Sequence, residues 1–351
     1  MLVALDFETT GLQMYSPTEF VKSVALAWRD GSDLKTAFFD TVQGIESCLE
    51  HLSKNQTPIV VYNIGFELLV LKNKYPQFPL NITIDCMRLV QNYDNGEDIV
   101  SFGLKAAAKR ILEPEEANWE EEANMYLARH NLSKAELHKL PRDILARYNI
   151  GDAKATLLIT EIVTEHFFKI GFDWTKDHAF YLSTAEHVVR AKSRGVIVDV
   201  EGALKYVTAL EKDLEEGARL FIEQAGENIT KVEDILTVRA QENYNKKVKF
   251  KKKTVERVQF NVNSNDHRTI LFVEVMGVEP CFFTKKGQPS MKKIHLKQFG
   301  TLAESLEKRK NKQVVLTQLK NLIALAEEDG KWHVDLKLVG TSTSRFAGGQ
   351  Q

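Results

Sequence analysis

The sequence predicts an α/β domain followed by a mostly helical domain, and three observations lead to this prediction. In residues 1–170, short apolar runs alternate with helix-like stretches, which is typical of a mixed sheet flanked by helices. From residue 171 onward the apolar spacing is mostly helical. The length of 351 residues also fits two domains better than one. We therefore predict domains at residues 1–170 and 171–351.

The elements of the first domain are predicted from apolar periodicity and from β-branched runs. In chain order they are strands at 2–7, 20–28 and 35–39, a helix at 45–52, a strand at 58–62, a helix at 66–75 and a strand at 83–85. A long helix follows at 141–168, where apolar residues recur at three- and four-residue steps.

The second domain is predicted to open with a helix at 185–193 that ends at Gly195, because glycine often closes a helix in a left-handed conformation. A long charged helix covers 201–225, and a basic run follows at 246–253. A further helix is expected to start near Ser264 or Asn265, since both residue types cap helix N-termini well.

Composition excludes several classes of protein. No apolar run approaches the ~20 residues that a membrane-spanning helix needs, so no membrane partner is expected. The N-terminus lacks the basic and small-residue features of a signal peptide and instead reads as a strand. Three widely spaced cysteines argue against a disulfide framework or a zinc site. These features predict a cytoplasmic location.

Charge is distributed unequally between the two predicted domains. Residues 1–170 carry 17 Lys and Arg against 24 Asp and Glu, a net charge of −7. Residues 171–351 carry 30 against 24, a net charge of +6. An acidic half beside a basic half fits a metal site next to a phosphate-binding surface, although unequal solvated faces would give the same imbalance.

Acidic residues in three separate segments are candidates for one metal site. Asp6 and Glu8 are two apart on a predicted strand and so share a face. Glu67 opens the helix after the fourth strand, and Tyr148 and Asp152 are four apart on one helix. Converging carboxylates repel one another unless cations intervene, and oxygen ligands favour Mg²⁺ or Mn²⁺. Two such ions are the usual device for phosphodiester cleavage.

Three motifs in the first domain carry a resemblance to a known family. They are Asp-Phe-Glu-Thr-Thr-Gly-Leu at 6–12, Asn-Ile-Gly-Phe-Glu at 63–67 and Tyr-Asn-Ile-Gly-Asp at 148–152. In order and spacing they resemble the three exonuclease motifs of the DnaQ-like 3′→5′ exonucleases, in their tyrosine form. The resemblance implies a ribonuclease H-like exonuclease fold that uses two divalent metal ions and releases nucleoside 5′-monophosphates.

The resemblance also implies roles for the individual residues. Asp6 would bridge both metal ions, and Glu8 and Asp152 would hold the ion on the side of the nucleophile. Tyr148 would orient the attacking water. Glu67 would reach the second ion through water, at a position where the family commonly has aspartate.

Nucleic-acid contacts are implied in the same way. Thr9 and Leu12 would contact the 3′-terminal nucleotide, with Leu12 wedged against its base, and Asn63 would be a further nucleic-acid contact.

The second domain contains four segments that resemble the start of the polymerase region in family A DNA polymerases. They are Arg-Gly-Val-Ile-Val-Asp at 194–199, Phe-Asn-Val-Asn-Ser at 260–264, Thr-Lys-Lys-Gly-Gln-Pro-Ser at 284–290 and Thr-Ser-Thr-Ser-Arg-Phe at 341–346. The resemblance implies a thumb and the beginning of a palm. Arg345 would contact the primer or template backbone, and Lys251, Lys252 and Lys253 would follow duplex phosphates.

The resemblance also leads to expectations about partners. The sequence ends soon after the arginine motif, before the palm carboxylates of that family would occur. We therefore expect no polymerisation by this chain alone. Either the sequence is a truncated piece of a longer polymerase, or it is one half of a split polymerase in which a second polypeptide would supply palm and fingers. Such a split polymerase would act in a bacterial cell or a phage-infected host.

The function predicted from the sequence is proofreading removal of nucleotides from DNA 3′ ends, on single strands or on primer-template duplexes. Two alternatives remain open. One is a 3′→5′ exoribonuclease of the same fold. The other is a non-catalytic half of a split polymerase that binds DNA or a partner.

Overall fold

The computed structural model describes residues 1–12, 14–94, 101–247, 254–326, 329–334, 336–338 and 347–348. The chain divides into two compact units. The first comprises Met1–Ile197 with Lys331–Gln351, and the second comprises Val198–Gly330. A mixed sheet with flanking helices forms the first unit and helices dominate the second, which confirms the predicted fold class.

A five-stranded sheet forms the centre of the first unit, in the order β3-β2-β1-β4-β5. Strand β2 runs antiparallel to both of its neighbours, β1 and β3, whereas β1, β4 and β5 run parallel to one another. The strands are β1 (Val3–Thr9), β2 (Val21–Asp30), β3 (Asp33–Phe39), β4 (Ile59–Val61) and β5 (Ile82–Asp85). All five predicted strands are therefore confirmed, with small shifts at their ends.

Helices cover both faces of this sheet. Those of the first unit are α1 (Val42–Lys54), α2 (Ile64–Lys74), α3 (Cys86–Tyr93), α4 (Leu104–Ile111), α5 (Glu121–Arg129), α6 (Arg142–Lys169) and α7 (Thr175–Arg194). The predicted helices within α1, α2, α6 and α7 are confirmed. The shorter α3, α4 and α5 were not predicted from the sequence.

Alternation along β1 decides which side chains meet α6. Leu5 and Phe7 lie in the core that also contains residues of α1 and α2. Ala4 lies in the opposite core, together with buried residues of α6. Successive strand residues point to opposite faces, so Asp6 and Glu8 share the α6 face with Ala4. Alanine at this position lets the helix approach the sheet closely.

In the described part of the chain, the second unit contains three long helices and two hydrophobic cores of its own. Its helices are α8 (Val200–Ala225), α9 (Glu227–Lys247), α10 (Asn265–Thr269) and α11 (Thr301–Ala326). Phe221, Leu271 and Phe272 are fully buried in the larger core of this unit. The Ser264 hydroxyl accepts a hydrogen bond from the backbone N–H of His267 at 3.3 Å, so the predicted cap of α10 is confirmed.

The division into units lies one helix beyond the predicted domain boundary. Helix α7 packs against α2 and belongs to the first unit, and Gly195 closes it with a φ of 65°. A functional boundary at residues 170 and 171 stays a prediction.

Lys251, Lys252, Lys253 and Arg345 lie outside the described residues. Across the described residues, no helix combines the length and apolar character that a bilayer-spanning helix needs.

Candidate metal centre

Three carboxylates from two distant parts of the chain meet between the central strand β1 and helix α6. Asp6 and Glu8 belong to β1, and Asp152 lies on α6, one turn after Tyr148. One oxygen of each carboxylate lies within 4.8 Å of the other two, a spacing that could hold a metal ion. The structure thus brings together three of the residues that the sequence predicted.

Asp6 is held by a residue of the third motif. The side-chain amide of Asn149 donates to the Asp6 carboxylate at 2.7 Å and to its backbone carbonyl at 3.2 Å. The Ser23 hydroxyl donates to the Asn149 carbonyl at 2.8 Å, which fixes the orientation of the amide. Asn149 and Ser23 are fully buried. A hydrogen-bonded chain from β2 through α6 therefore sets the position of Asp6 on β1.

Asp152 has two partners from the segment before α6. The indole N–H of Trp119 and the ammonium of Lys105 both donate to the same carboxylate oxygen. The Lys105 ammonium also lies 4.4 Å from the ring centroid of Tyr148 and 4.5 Å from that of Trp119. A cation thus already stands among the acidic and aromatic side chains of this site.

Glu67 lies beside this group but is not one of the three clustered carboxylates. It is buried in the first turn of α2, with 3% of its surface exposed. One of its carboxylate oxygens, Oε2, has no hydrogen-bond partner within the described part of the chain. Burial and then the charge of Asp6 hold the pKa of Glu67 well above its ordinary value. An unpartnered buried carboxylate oxygen is a strong candidate for binding a cation or its water.

Burial and mutual repulsion shift the pKa values of the acidic side chains in this site. Burial raises the pKa of Asp6 to about 7, while the charge of Lys105 and the hydrogen bond from Asn149 oppose this rise. Burial, reinforced by the charge of Asp6, raises the pKa of Glu8 to about 8. Burial also lowers the pKa of Lys105 to about 8, against the charges of both acids. A divalent cation would relieve the strain between these acids.

Tyr148 is buried next to the acidic group, with 7% of its surface exposed. Burial, followed by the charges of Glu8 and Asp6, raises the pKa of its phenol. The phenol therefore stays protonated across the physiological range and is available as a hydrogen-bond donor.

The predicted nucleic-acid contacts of the first unit lie at its surface. Leu12 is 75% exposed, although it is a large apolar residue that a core would normally take up. Asn63 is exposed and makes no side-chain cap to α2. The Thr9 hydroxyl donates to the backbone carbonyl of Gly11 at 2.6 Å, which shapes the turn that presents Leu12. Their contact with nucleic acid stays a prediction.

Three further residues of the site were missed from the sequence. Asn149 could have been found, because it is a polar residue on the buried side of α6 and lies inside the third motif. Lys105 carries a weak signal, as a lysine among three alanines in α4. Trp119 lies between helices and carries no local signal, since only the folded chain brings it to Asp152.

Comparisons with known proteins agree with this geometry. The RNase_H_2 family of the RNase H superfamily matches residues 3–164, the part of the chain that contains all three motifs. A comparison with curated proteins finds no match to this chain.

Among 128 solved chains that match in structure is the POL domain of Pol1 from M. smegmatis, in complex with DNA primer-template and dNTP. The TM-score is 0.64 at 14% sequence identity, and the match covers 99% of this chain. The match covers 50% of the POL-domain chain, so this chain spans about half the length of the structure that it matches. At this identity the likeness concerns the fold. Residues 3–164 thus match the RNase_H_2 family model, and the described fold is similar to about half of the POL domain of Pol1.

Proposed function

We propose that the first unit is a two-metal 3′→5′ exonuclease that shortens DNA from its 3′ end and releases nucleoside 5′-monophosphates. The observation that carries this proposal is the convergence of Asp6, Glu8 and Asp152 to within 4.8 Å. Carboxylate oxygens alone make up this donor set, which suits Mg²⁺ or Mn²⁺ and disfavours softer metals.

The residues present fit a pair of divalent cations. Asp6 would touch both ions, Glu8 and Asp152 would hold one, and Glu67 would reach the other. The unpartnered Oε2 of Glu67 supports this assignment, because a buried carboxylate oxygen with no donor is costly unless a ligand satisfies it. When bound, the ions would supply a nucleophile near neutral pH and neutralise charge on the cleaved phosphodiester.

The protein side chains then have separate tasks. The protonated phenol of Tyr148 orients the attacking water by hydrogen bonding, since its raised pKa keeps it from ionising. Asn149 keeps the Asp6 carboxylate in place, because its amide donates to both the side chain and the backbone of Asp6. The exposed Leu12 and Thr9 receive the 3′-terminal nucleotide, and Asn63 adds a polar contact at the mouth of the site.

A proofreading role is supported by the fold of the whole chain. The Pol1 structure that it resembles holds a DNA primer-template, which favours DNA as the polymer bound here. The thumb-like second unit would hold duplex DNA, with Lys251, Lys252 and Lys253 contributing positive charge. Arg345, which belongs to the first unit, would contact the primer or template backbone. We propose that polymerisation needs a second polypeptide with palm and fingers, because the four segments that resemble family A polymerases correspond only to a thumb and the beginning of a palm.

The test is a cleavage assay on 5′-labelled single-stranded DNA with Mg²⁺ or Mn²⁺. The wild-type protein should yield a ladder that shortens from the 3′ end, and Asp6→Ala should yield none. Asp33→Ala is the matched control, because Asp33 is an exposed acid on β3 outside the site. Unchanged degradation by Asp6→Ala would refute the mechanism. RNA of the same sequence, run in parallel, tests the exoribonuclease alternative.

The non-catalytic alternative also has an observation in its favour. The ammonium of Lys105 already pairs with Asp152, as an internal cation would in a site that no longer binds metal. Calorimetric titration with Mn²⁺ distinguishes the exonuclease from the non-catalytic alternative. A non-catalytic site would bind no ions, and an exonuclease would bind two.

A further inference from the structure

A buried polar group lies under the first turn of α2 and plays no part in the mechanism above. Its centre is Asp85, the last residue of β5, with 1% of its surface exposed. One carboxylate oxygen, Oδ2, accepts from the backbone N–H of Ile64 at 3.4 Å, and the other accepts from Met87 N–H at 3.0 Å. A single side chain therefore caps both α2 and α3.

This cap replaces one that α2 lacks. Asn63 precedes the helix but makes no side-chain cap hydrogen bond, although asparagine is a favoured N-cap residue. The first N–H groups of a helix need acceptors, and Asp85 supplies one from the neighbouring strand. Asp85 is itself fixed, because it pairs with Val61 in the parallel ladder of β4 and β5.

Helix α7 holds Asp85 from the other side. The Tyr181 hydroxyl donates to Oδ2 of Asp85 at 2.7 Å, the same oxygen that caps α2. The backbone N–H of Asp85 donates to Nε2 of His178 at 2.9 Å. Both α7 residues are buried, so these hydrogen bonds are protected from water.

Glu67 depends on this arrangement more than the other acids do. Asp6 has Asn149, and Asp152 has Trp119 and Lys105, as side-chain donors. Glu67 lies in the first turn of α2, and its Oε2 has no partner in the described part of the chain. The position of its carboxylate is therefore set by the start of the helix that carries it.

We propose that Tyr181, acting through Asp85, is a positioning residue for Glu67. It keeps the first turn of α2 at the distance from β1 that the second metal site needs. This inference rests on the proposed exonuclease function and extends it. It also means that the site depends on α7, which lies beyond residues 3–164 of the superfamily match.

The experiment is a double-mutant cycle between Tyr181→Phe and Glu67→Gln, with single-turnover cleavage of single-stranded DNA in Mn²⁺. Tyr181→Phe removes one hydroxyl and keeps the ring, so the fold is expected to persist. We expect the cleavage rate to fall about tenfold with unchanged DNA affinity, which corresponds to ~1.4 kcal/mol. In the Glu67→Gln background the same substitution should change nothing further.

Ser193→Ala is the matched control, because Ser193 also joins α7 to α2. Its hydroxyl lies 2.8 Å from the side-chain oxygen of Asn73, near the far end of α2 from Glu67. This variant should keep the wild-type rate. Two outcomes would show that Tyr181 has only a general structural role. One is an equal loss of cleavage rate from Tyr181→Phe in the wild-type and Glu67→Gln proteins. The other is an equal loss of rate from Ser193→Ala.

Calorimetric titration with Mn²⁺ provides a second readout that needs no residual activity. Tyr181→Phe should weaken one of the two binding events about tenfold, and Glu67→Gln should remove that difference. Equal affinity in wild type and Tyr181→Phe would overturn the proposal. If Asp6→Ala abolishes cleavage while Tyr181→Phe does nothing, only this inference fails. If Asp6→Ala has no effect, the exonuclease proposal itself fails.

Discussion

The ammonium group of Lys105 forms an ion pair with the carboxylate of Asp152 inside the acidic cluster. The side chains concerned are largely shielded, with exposed fractions of 22% for Lys105 and 10% for Asp152. A lysine at this place has two opposing effects. It lowers the repulsion among the acids, and it also competes for the oxygen atoms that a divalent cation would use.

Removal of this charge should therefore strengthen metal binding. We predict that Lys105→Met, which keeps the length of the side chain, tightens Mn²⁺ binding by about fivefold to tenfold, or ~1 kcal/mol. The measurement is calorimetric titration of the metal-free protein. Lys109→Met is the control, because Lys109 lies on the same helix but is largely exposed. Weaker binding by Lys105→Met would show that the lysine helps to order the ligands.

The metal-free protein should lose stability as pH rises through the neutral range. Burial raises the pKa values of Asp6 and Glu8 to about 7 and about 8, from 3.8 and 4.5. The folded state thus binds more protons than the unfolded state between these values, and stability falls with rising pH. Burial holds the pKa of His178 near 4, so its opposite effect is confined to lower pH. The loss of stability should end near pH 8. Above this pH the lowered pKa of Lys105 has the opposite effect, because its ammonium loses its proton in the folded state before it does in the unfolded state.

Urea unfolding from about pH 6.5 to about pH 8 in a chelator measures this effect. We expect a loss on the order of 1–3 kcal/mol, which saturating Mg²⁺ should largely reverse. Asp6→Asn should be more stable than wild type at pH 8 without metal, since the substitution removes a crowded buried charge. A flat stability profile in chelator would mean that the acids are better hydrated than the structure indicates.

The residues of the candidate site that lie within short sequence motifs could be predicted from the sequence. Asp6 and Glu8 alternate along a strand, and Tyr148 and Asp152 lie one turn apart, so local periodicity is enough to align them. The cluster of Asp6, Glu8 and Asp152 therefore agrees with the prediction.

The supporting residues could not be predicted in this way. Trp119 and Lys105 reach the site only through the packing of the folded chain, and Asp85 joins α2 to α7 in the same way. Helix α11 was missed for a different reason. Its apolar residues are spread around the helix rather than along one stripe, so periodicity gives little signal.

Gly151 offers a test of how closely Trp119 is packed on α6. Alanine at a helical position normally stabilises a helix by about 0.5–1 kcal/mol relative to glycine. At Gly151 a methyl group would overlap the indole of Trp119, which also donates to Asp152. Because the backbone fixes the position of a Cβ atom, the indole of Trp119 must move, and this movement would disturb its hydrogen bond to Asp152.

We therefore predict that Gly151→Ala destabilises the protein by about 1–3 kcal/mol, the usual range for overpacking, and lowers the cleavage rate at least tenfold. Gly217→Ala is the matched control. Gly217 lies in α8, and a methyl group there would meet nothing within 4 Å. That variant should gain about 0.5–1 kcal/mol in urea unfolding and keep its activity. If Gly151→Ala were as stable and active as Gly217→Ala, Trp119 would not pack on α6 in solution, and its hydrogen bond would have no part in holding Asp152.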